Sequence, residues 1–284
     1  MRPESANLSV GPAGRVRGAH CSGPARVRMM PGTASSVTDR RRALLALSVA
    51  GLCLSSGSTA LARGQAGPGA RRPLSRAQQA LVIECLTALA RLEVAYIRAG
   101  MPDAHARALD GLTQARGRVD QLMSRIRHEL GRHIEWADQK RVDAQWKTVA
   151  DATRTQPSRD IAHLMMPMAA EISATLAALL PEVPEQIMIS GEGRSRRVLL
   201  LQQLLLSGVA RCWDRRLVTR EALMRQRDTL DRWLTARAGR GADGIRLQAQ
   251  WNLFISALPS PGGDCLPDAA STMVAVCERL VALV

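Results

Sequence analysis

The chain has 284 residues with 39 Lys and Arg against 25 Asp and Glu, a net charge of +14, and only one Tyr, one Phe and five Trp. Rich in Leu, Ala and Arg and poor in aromatic and β-branched residues, it has the composition of a helix former, which excludes a strand-rich fold. Residues 1–62 hold eight arginines against Glu4 and Asp39, which leaves +8 of the +14 for the rest. Without a basic run interleaved with aromatics, that charge excludes a nucleic-acid partner.

Residues 1–62 read as a leader. Arg40-Arg41-Arg42 runs into the apolar stretch Leu44–Leu54, Ser55-Ser56-Gly57-Ser58 breaks it, and Ala60-Leu61-Ala62 is an A-x-A cleavage site. Arg41-Arg42, followed after one residue by Leu44-Leu45, is similar to the twin-arginine export signature. This predicts a periplasmic protein of Gram-negative type, with a signal peptide over 29–62. Residues 1–28 match no part of a signal peptide, which points to a mis-assigned start and initiation at Met29 or Met30. The apolar run is too short to span a bilayer, and Leu52 before Cys53 argues against a lipid anchor.

Residues 63–73 form a Gly/Pro/Arg linker. Ser75 and Gln78 make a capping box that opens a helix running through Leu81, Ile83, Leu86, Leu89, Leu92 and Ile97 to Gly100. Pro102-Asp103 opens a second helix with the stripe Leu109, Leu112, Val119, Leu122, Met123, Ile126 and Leu130. A third covers about 133–154. Pro157-Ser158 starts a fourth with Ile161, Leu164, Met165, Met168, Ile172, Leu176 and Leu179, ended by Pro181 and Pro184. Four more follow over about 194–217, 219–238, 244–258 and 267–283, and none is apolar enough for a membrane span.

An internal repeat accompanies this layout. Ala144-Gln145-Trp146 recurs as Ala249-Gln250-Trp251, each on the third helix of a set of four. Short loops and apolar stripes then predict an all-α protein of two tandem up-down four-helix bundles, over 74–184 and 188–284.

The segment Ile189-Ser190-Gly191-Glu192-Gly193-Arg194-Ser195-Arg196-Arg197-Val198 opens the second set. A helix start exposes N–H groups and the positive dipole end, which favour anions. Arg194 and Arg196 add planar, bidentate donors. The segment resembles the signature I-N-x-A-G-R-Q-R-M-L-S-Q-R of the PilJ-type domain, the sensing domain of type IV pili methyl-accepting chemotaxis transducers. Ile189, Gly193, Arg194 and Arg196 match, Ser190 replaces the Asn, and Leu199-Leu200-Leu201 replaces the closing Ser-Gln-Arg. Trp146 and Trp251 also sit where such domains often place a third-helix Trp. The resemblance implies a non-enzymatic periplasmic ligand-binding or sensory module. It also implies a small oxyanion held by Arg196 first, Arg194 second and Gly193, as in related nitrate-sensing kinases. Output would pass through a partner protein, and the bundles would pair as a homodimer or as an internal pseudo-dimer. The alternative is a structural adaptor or scaffold whose sensing site has decayed.

Other segments carry less chemistry. His128 and His133 are five apart and do not share a helix face, unlike zinc-protease histidines. Met165, Met166 and Met168 read as core. No phosphate loop, nucleophile elbow or Cys-x-x-Cys appears, so neither metal nor cofactor is expected. Of Cys85, Cys212, Cys265 and Cys277, which remain beyond the leader, Cys265 is the best placed for a disulfide because it lies in a loop. Its partner is left open.

Overall fold

The computed structural model describes residues 73–102, 106–182, 188, 193–238, 241–260, 265–266 and 268–284. The predicted leader, with Arg41, Arg42, Ala60 and Ala62, lies outside them, as does nearly all of the 63–73 linker. Among the described residues the protein is all-α: α1 (Arg76–Ala99), α2 (Ala106–Leu130), α3 (Trp136–Ala152), α4 (Arg159–Ala177), α5 (Arg194–Trp213), α6 (Arg220–Ala238), α7 (Gly241–Ala257) and α8 (Ala269–Leu283).

Local chemistry sets the helix ends. The capping box at α1 forms in both directions: Gln78 N–H donates to Ser75 Oγ at 3.2 Å, and Ser75 N–H donates to Gln78 Oε1 at 2.9 Å. Two of the first turn's unpaired groups are thereby satisfied. At its other end Gly100 N–H reaches the carbonyls of Tyr96 and Ile97. A Cβ on Gly100 would stand 2.6 Å from the Trp213 ring, so glycine is required there by close approach. Ser158 caps α4 by accepting from Ile161 N–H at 3.3 Å. Several boundaries shift from expectation, among them the start of α7, which lies at Gly241 and not near 244. α3 begins at Trp136, after a turn over 131–134, and α5 ends at Trp213, because Asp214 adopts extended backbone and turns the chain.

α1 and α5 are the hubs. α1 packs on α2, α4 and α5; α5 packs on α1, α6 and α8; α6 meets α7, α7 meets α8, and α3 meets α4. Accordingly α1 buries Leu81, Val82, Leu86, Leu89, Leu92, Tyr96 and Ile97, and α5 buries Leu199, Leu201, Leu204, Leu205, Val209 and Trp213. Burial over so wide an arc comes from facing several partners, where an outer helix faces one or two. The C-terminal ends of α1 and α5 meet: Tyr96 and Trp213 pack edge to face with centroids 6.3 Å apart. Tyr96 also accepts through its hydroxyl from Ser158 N–H at 3.1 Å, which brings the start of α4 to the same place.

The repeat read from the sequence has a structural counterpart. Trp146 on α3 donates its indole N–H to Asp120 on α2 at 3.0 Å, and Trp251 on α7 donates to Asp231 on α6 at 2.6 Å. Around each acid the pattern matches: Val119-Asp120 with Leu122-Met123, and Leu230-Asp231 with Trp233-Leu234, every apolar member buried. Two stripe positions behave differently from expectation. Leu109 and Leu164 are about half exposed, at 51% and 52%. Each fits helical periodicity, but each lies at the margin of its helix's buried face, where the neighbouring helix does not reach.

Candidate functional site

The start of α5 holds Gly193, Arg194 and Arg196, the residues singled out by the resemblance and by the donor chemistry of a helix start. Gly193 is buried, with φ −77° and ψ −2°, an ordinary right-handed conformation that requires no glycine. It supplies no side-chain cap, and no acidic residue lies in the first turn. A helix N-terminus without carboxylate compensation keeps its positive potential. Ile189, Ser190, Gly191 and Glu192 lie outside the described residues.

The three arginines of this turn diverge. Arg194 is exposed. Arg196 is half-buried and donates through Nη2 to the Pro181 carbonyl at 2.8 Å, which bridges α5 back to the segment after α4. Burial pushes its guanidinium below the ordinary arginine range, because no negative charge offsets the lost hydration. Among the described residues no carboxylate pairs with Arg196.

Arg197, which sequence reasoning passed over, is the most buried of the three, at 1% exposure. Its Nη1 donates to the Met188 carbonyl at 2.5 Å and its Nη2 to the Val284 oxygen at 2.9 Å. One guanidinium therefore joins the start of α5 to the segment before it and to the end of α8. The signal was available: Arg197 precedes the buried positions Leu201 and Leu204 by four and seven residues, so it belongs to the inner stripe.

At the opposite end of α5 a second polar cluster forms. The Asp214 carboxylate accepts from His163 Nε2 of α4 at 3.0 Å, and from Arg216 through Nη2 at 2.9 Å and through the backbone N–H at 2.9 Å. The Arg216 bonds foremost, with that from His163, hold this carboxyl well below the usual carboxylate range despite its burial. The arrangement ties α4 to the turn after α5. Among the described residues no group of three or more His, Cys, Asp or Glu side chains could hold a metal ion. No described helix is long and apolar enough to cross a membrane.

Glu93 is a further group that sequence reasoning missed. It lies on the α1 stripe with Leu86, Leu89 and Tyr96, and is 6% exposed. Desolvation raises its carboxyl to about 8, so at neutral pH it is mostly protonated.

Cys265 is disulfide-bonded to Cys212 at the end of α5, while Cys85 and Cys277 are free and buried. The bridge thus falls where the loop position suggested, and its partner is the penultimate residue of α5. In comparisons with known proteins, no family model, no curated protein and no solved structure matches the chain.

Proposed function

We propose that this protein is a non-enzymatic, periplasmic ligand-binding or sensory module of PilJ-like type, built from two tandem four-helix units, which takes a small anion at the start of α5. The observation that supports this reading is the state of Arg196. It is a half-buried guanidinium whose acceptor is a neutral carbonyl, beside an N-terminus with neither a side-chain cap nor a first-turn acid. An anion there would compensate the desolvated charge and accept from helix N–H groups, with the exposed Arg194 closing over it. A signal would leave through a partner protein, with pairing either to a second copy of the chain or between its own two halves.

A thermal-shift screen with nitrate, nitrite, small carboxylates and phosphate tests this. A ligand at a hundred times its Kd stabilises a single site by about 2.7 kcal/mol. Arg196→Ala should abolish the shift and Arg194→Ala should reduce it. Equal shifts in wild type and Arg196→Ala would remove the site assignment.

One observation favours a second reading, that of a structural adaptor. Arg196 and Arg197 both spend donors on backbone carbonyls, which is how arginines fasten a helix start without any ligand. On that reading no anion stabilises the protein, and Arg196→Ala lowers Tm in plain buffer.

A further inference from the structure

We propose that the Cys212–Cys265 bridge is a reducible clasp on the start of α8: a dithiol reductant opens it and lets the first turn of α8 fray from α5 while the rest of the bundle stays folded. The proposal does not depend on the anion site.

The two ends of the bridge differ in how they are held. On the α5 side every neighbour of Cys212 is fixed to something else. Arg211 Nη1 donates to the Val218 carbonyl at 2.9 Å. Trp213 packs against Tyr96 and against Gly100 of the opposite set. Asp214 is bound by His163 and Arg216. The end of α5 therefore stays in place whatever happens to the sulfur.

On the α8 side the described residues beside the bridge are held more lightly. Leu266, next to Cys265, is 70% exposed. Asp268, at the N-cap position of α8, is the one described non-glycine residue with positive φ, at 61°, and its side chain makes no capping bond. A helix start normally draws about 1 kcal/mol from its cap, and here the covalent link to α5 stands in that place. Ala269 is buried and Ala270 packs on the core, each with a single methyl, and the first large buried side chain is Met273, whose Sδ would lie 2.8 Å from a Cβ on Gly208 of α5. Cys265 thus has a covalent anchor and Met273 a packed one, and among the described residues between them only two alanine methyls turn into the core.

Opening the bridge is a balanced exchange. A thiolate of the reductant attacks one sulfur of the bridge and forms a mixed disulfide, and the reductant's second thiol displaces the protein sulfur and closes its own ring. Two electrons and two protons pass to Cys212 and Cys265, which become thiols, and the reductant leaves as a disulfide. Both bridge residues are only half-buried, so a small dithiol can reach them. The other described cysteines do not interfere. Cys85 and Cys277 are buried, and burial pushes both thiols up to about 12, so at neutral pH neither supplies a thiolate to reshuffle the bridge. The switch has two states.

Hydrogen exchange followed by mass spectrometry on the full chain, with and without dithiothreitol, tests this. Reduction should speed exchange of the Ala269–Thr272 amides at least about tenfold, leave the α1 and α2 peptides unchanged and leave far-UV circular dichroism intact. Cys212→Ser and Cys265→Ser should show the fast Ala269–Thr272 exchange without reductant and no further change on adding it. Unchanged Ala269–Thr272 exchange on reduction would overturn the proposal. So would acceleration spread over all eight helices with loss of helical signal, or the absence of a Cys212–Cys265 linked peptide before reduction.

Discussion

Trp251 gives its indole N–H to Asp231 on the preceding helix at 2.6 Å, and its ring stacks on Phe254 one turn further along α7, with centroids 5.9 Å apart. The ring is 1% exposed, whereas the acid sits at the solvent rim. A buried aromatic with a polar edge thus aims α6 and α7 at each other, and Trp146 with Asp120 does the same for α2 and α3.

Trp251→Ala removes both the buried ring and the bond, and should cost about 3–5 kcal/mol. Asp231→Ala removes only the acceptor, leaves the ring in place and should cost roughly 1–2 kcal/mol. Urea unfolding monitored by circular dichroism separates the two. A loss below about 1 kcal/mol for Trp251→Ala would contradict the packing described.

Glycine positions divide by what stands around them. Gly100→Ala would drive a methyl into the Trp213 ring, with atoms 2.6 and 3.0 Å away, and should destabilise by about 1–3 kcal/mol. Gly111→Ala and Gly117→Ala on α2 meet nothing within 4 Å, and each should stabilise by about 0.5–1 kcal/mol through helix propensity. Thermal melting of the three variants should give one downward and two upward shifts in Tm.

Glu93 predicts a stability that falls with rising pH. Its folded-state pKa of about 8 lies above the ordinary 4.5, so folding favours the protonated form. Below about 4.5 both states are protonated and nothing is lost. Between about 4.5 and 8 the unfolded chain releases the proton first, and stability drops by as much as about 1.4 kcal/mol per pH unit. Above about 8 the penalty is complete and constant. Glu93→Gln should flatten this slope and exceed wild type in Tm at pH 8. Parallel pH profiles for the two proteins would contradict the burial of this carboxyl.

Asp214 acts with the opposite sign. Its pKa is depressed, above all by the Arg216 hydrogen bond, so its contribution is present above the ordinary value of 3.8 and is lost as pH falls below it. Asp214→Asn should lose stability at neutral pH and show a shallower acid limb in urea titrations between pH 4 and pH 2. An unchanged acid limb would mean that the contacts of His163 and Arg216 with this carboxylate carry no stabilisation.

Helix number, order and most boundaries were legible in the sequence because they depend on local chemistry: Ser75 with Gln78, Ser158 before Ile161, and stripes of Leu and Ile at turns of 3.6 residues. The paired tryptophans were legible because three consecutive residues recur in equivalent places. Features set by tertiary contact were not. Leu109 and Leu164 fit the periodicity yet face water, since periodicity gives a direction and does not say whether a neighbour fills it. Glu93 was not singled out, although its spacing from Leu86 and Leu89 placed it inside. At the α5 start, the resemblance singled out Arg196, which reaches only to Pro181, while the deeply buried tie is made by Arg197. A run of arginines does not reveal which one turns inward until the partner oxygens of Met188 and Val284 are located.

With α1 packed on α5 as well as on α2 and α4, parting the two halves of the chain would expose apolar surface on both. A fragment holding only α5 to α8 would lay bare the side of α5 that α1 covers, together with the Trp213 ring, and should self-associate or precipitate. Supplying residues 73–182 as a separate polypeptide should then rescue it, because the missing surface would return with them.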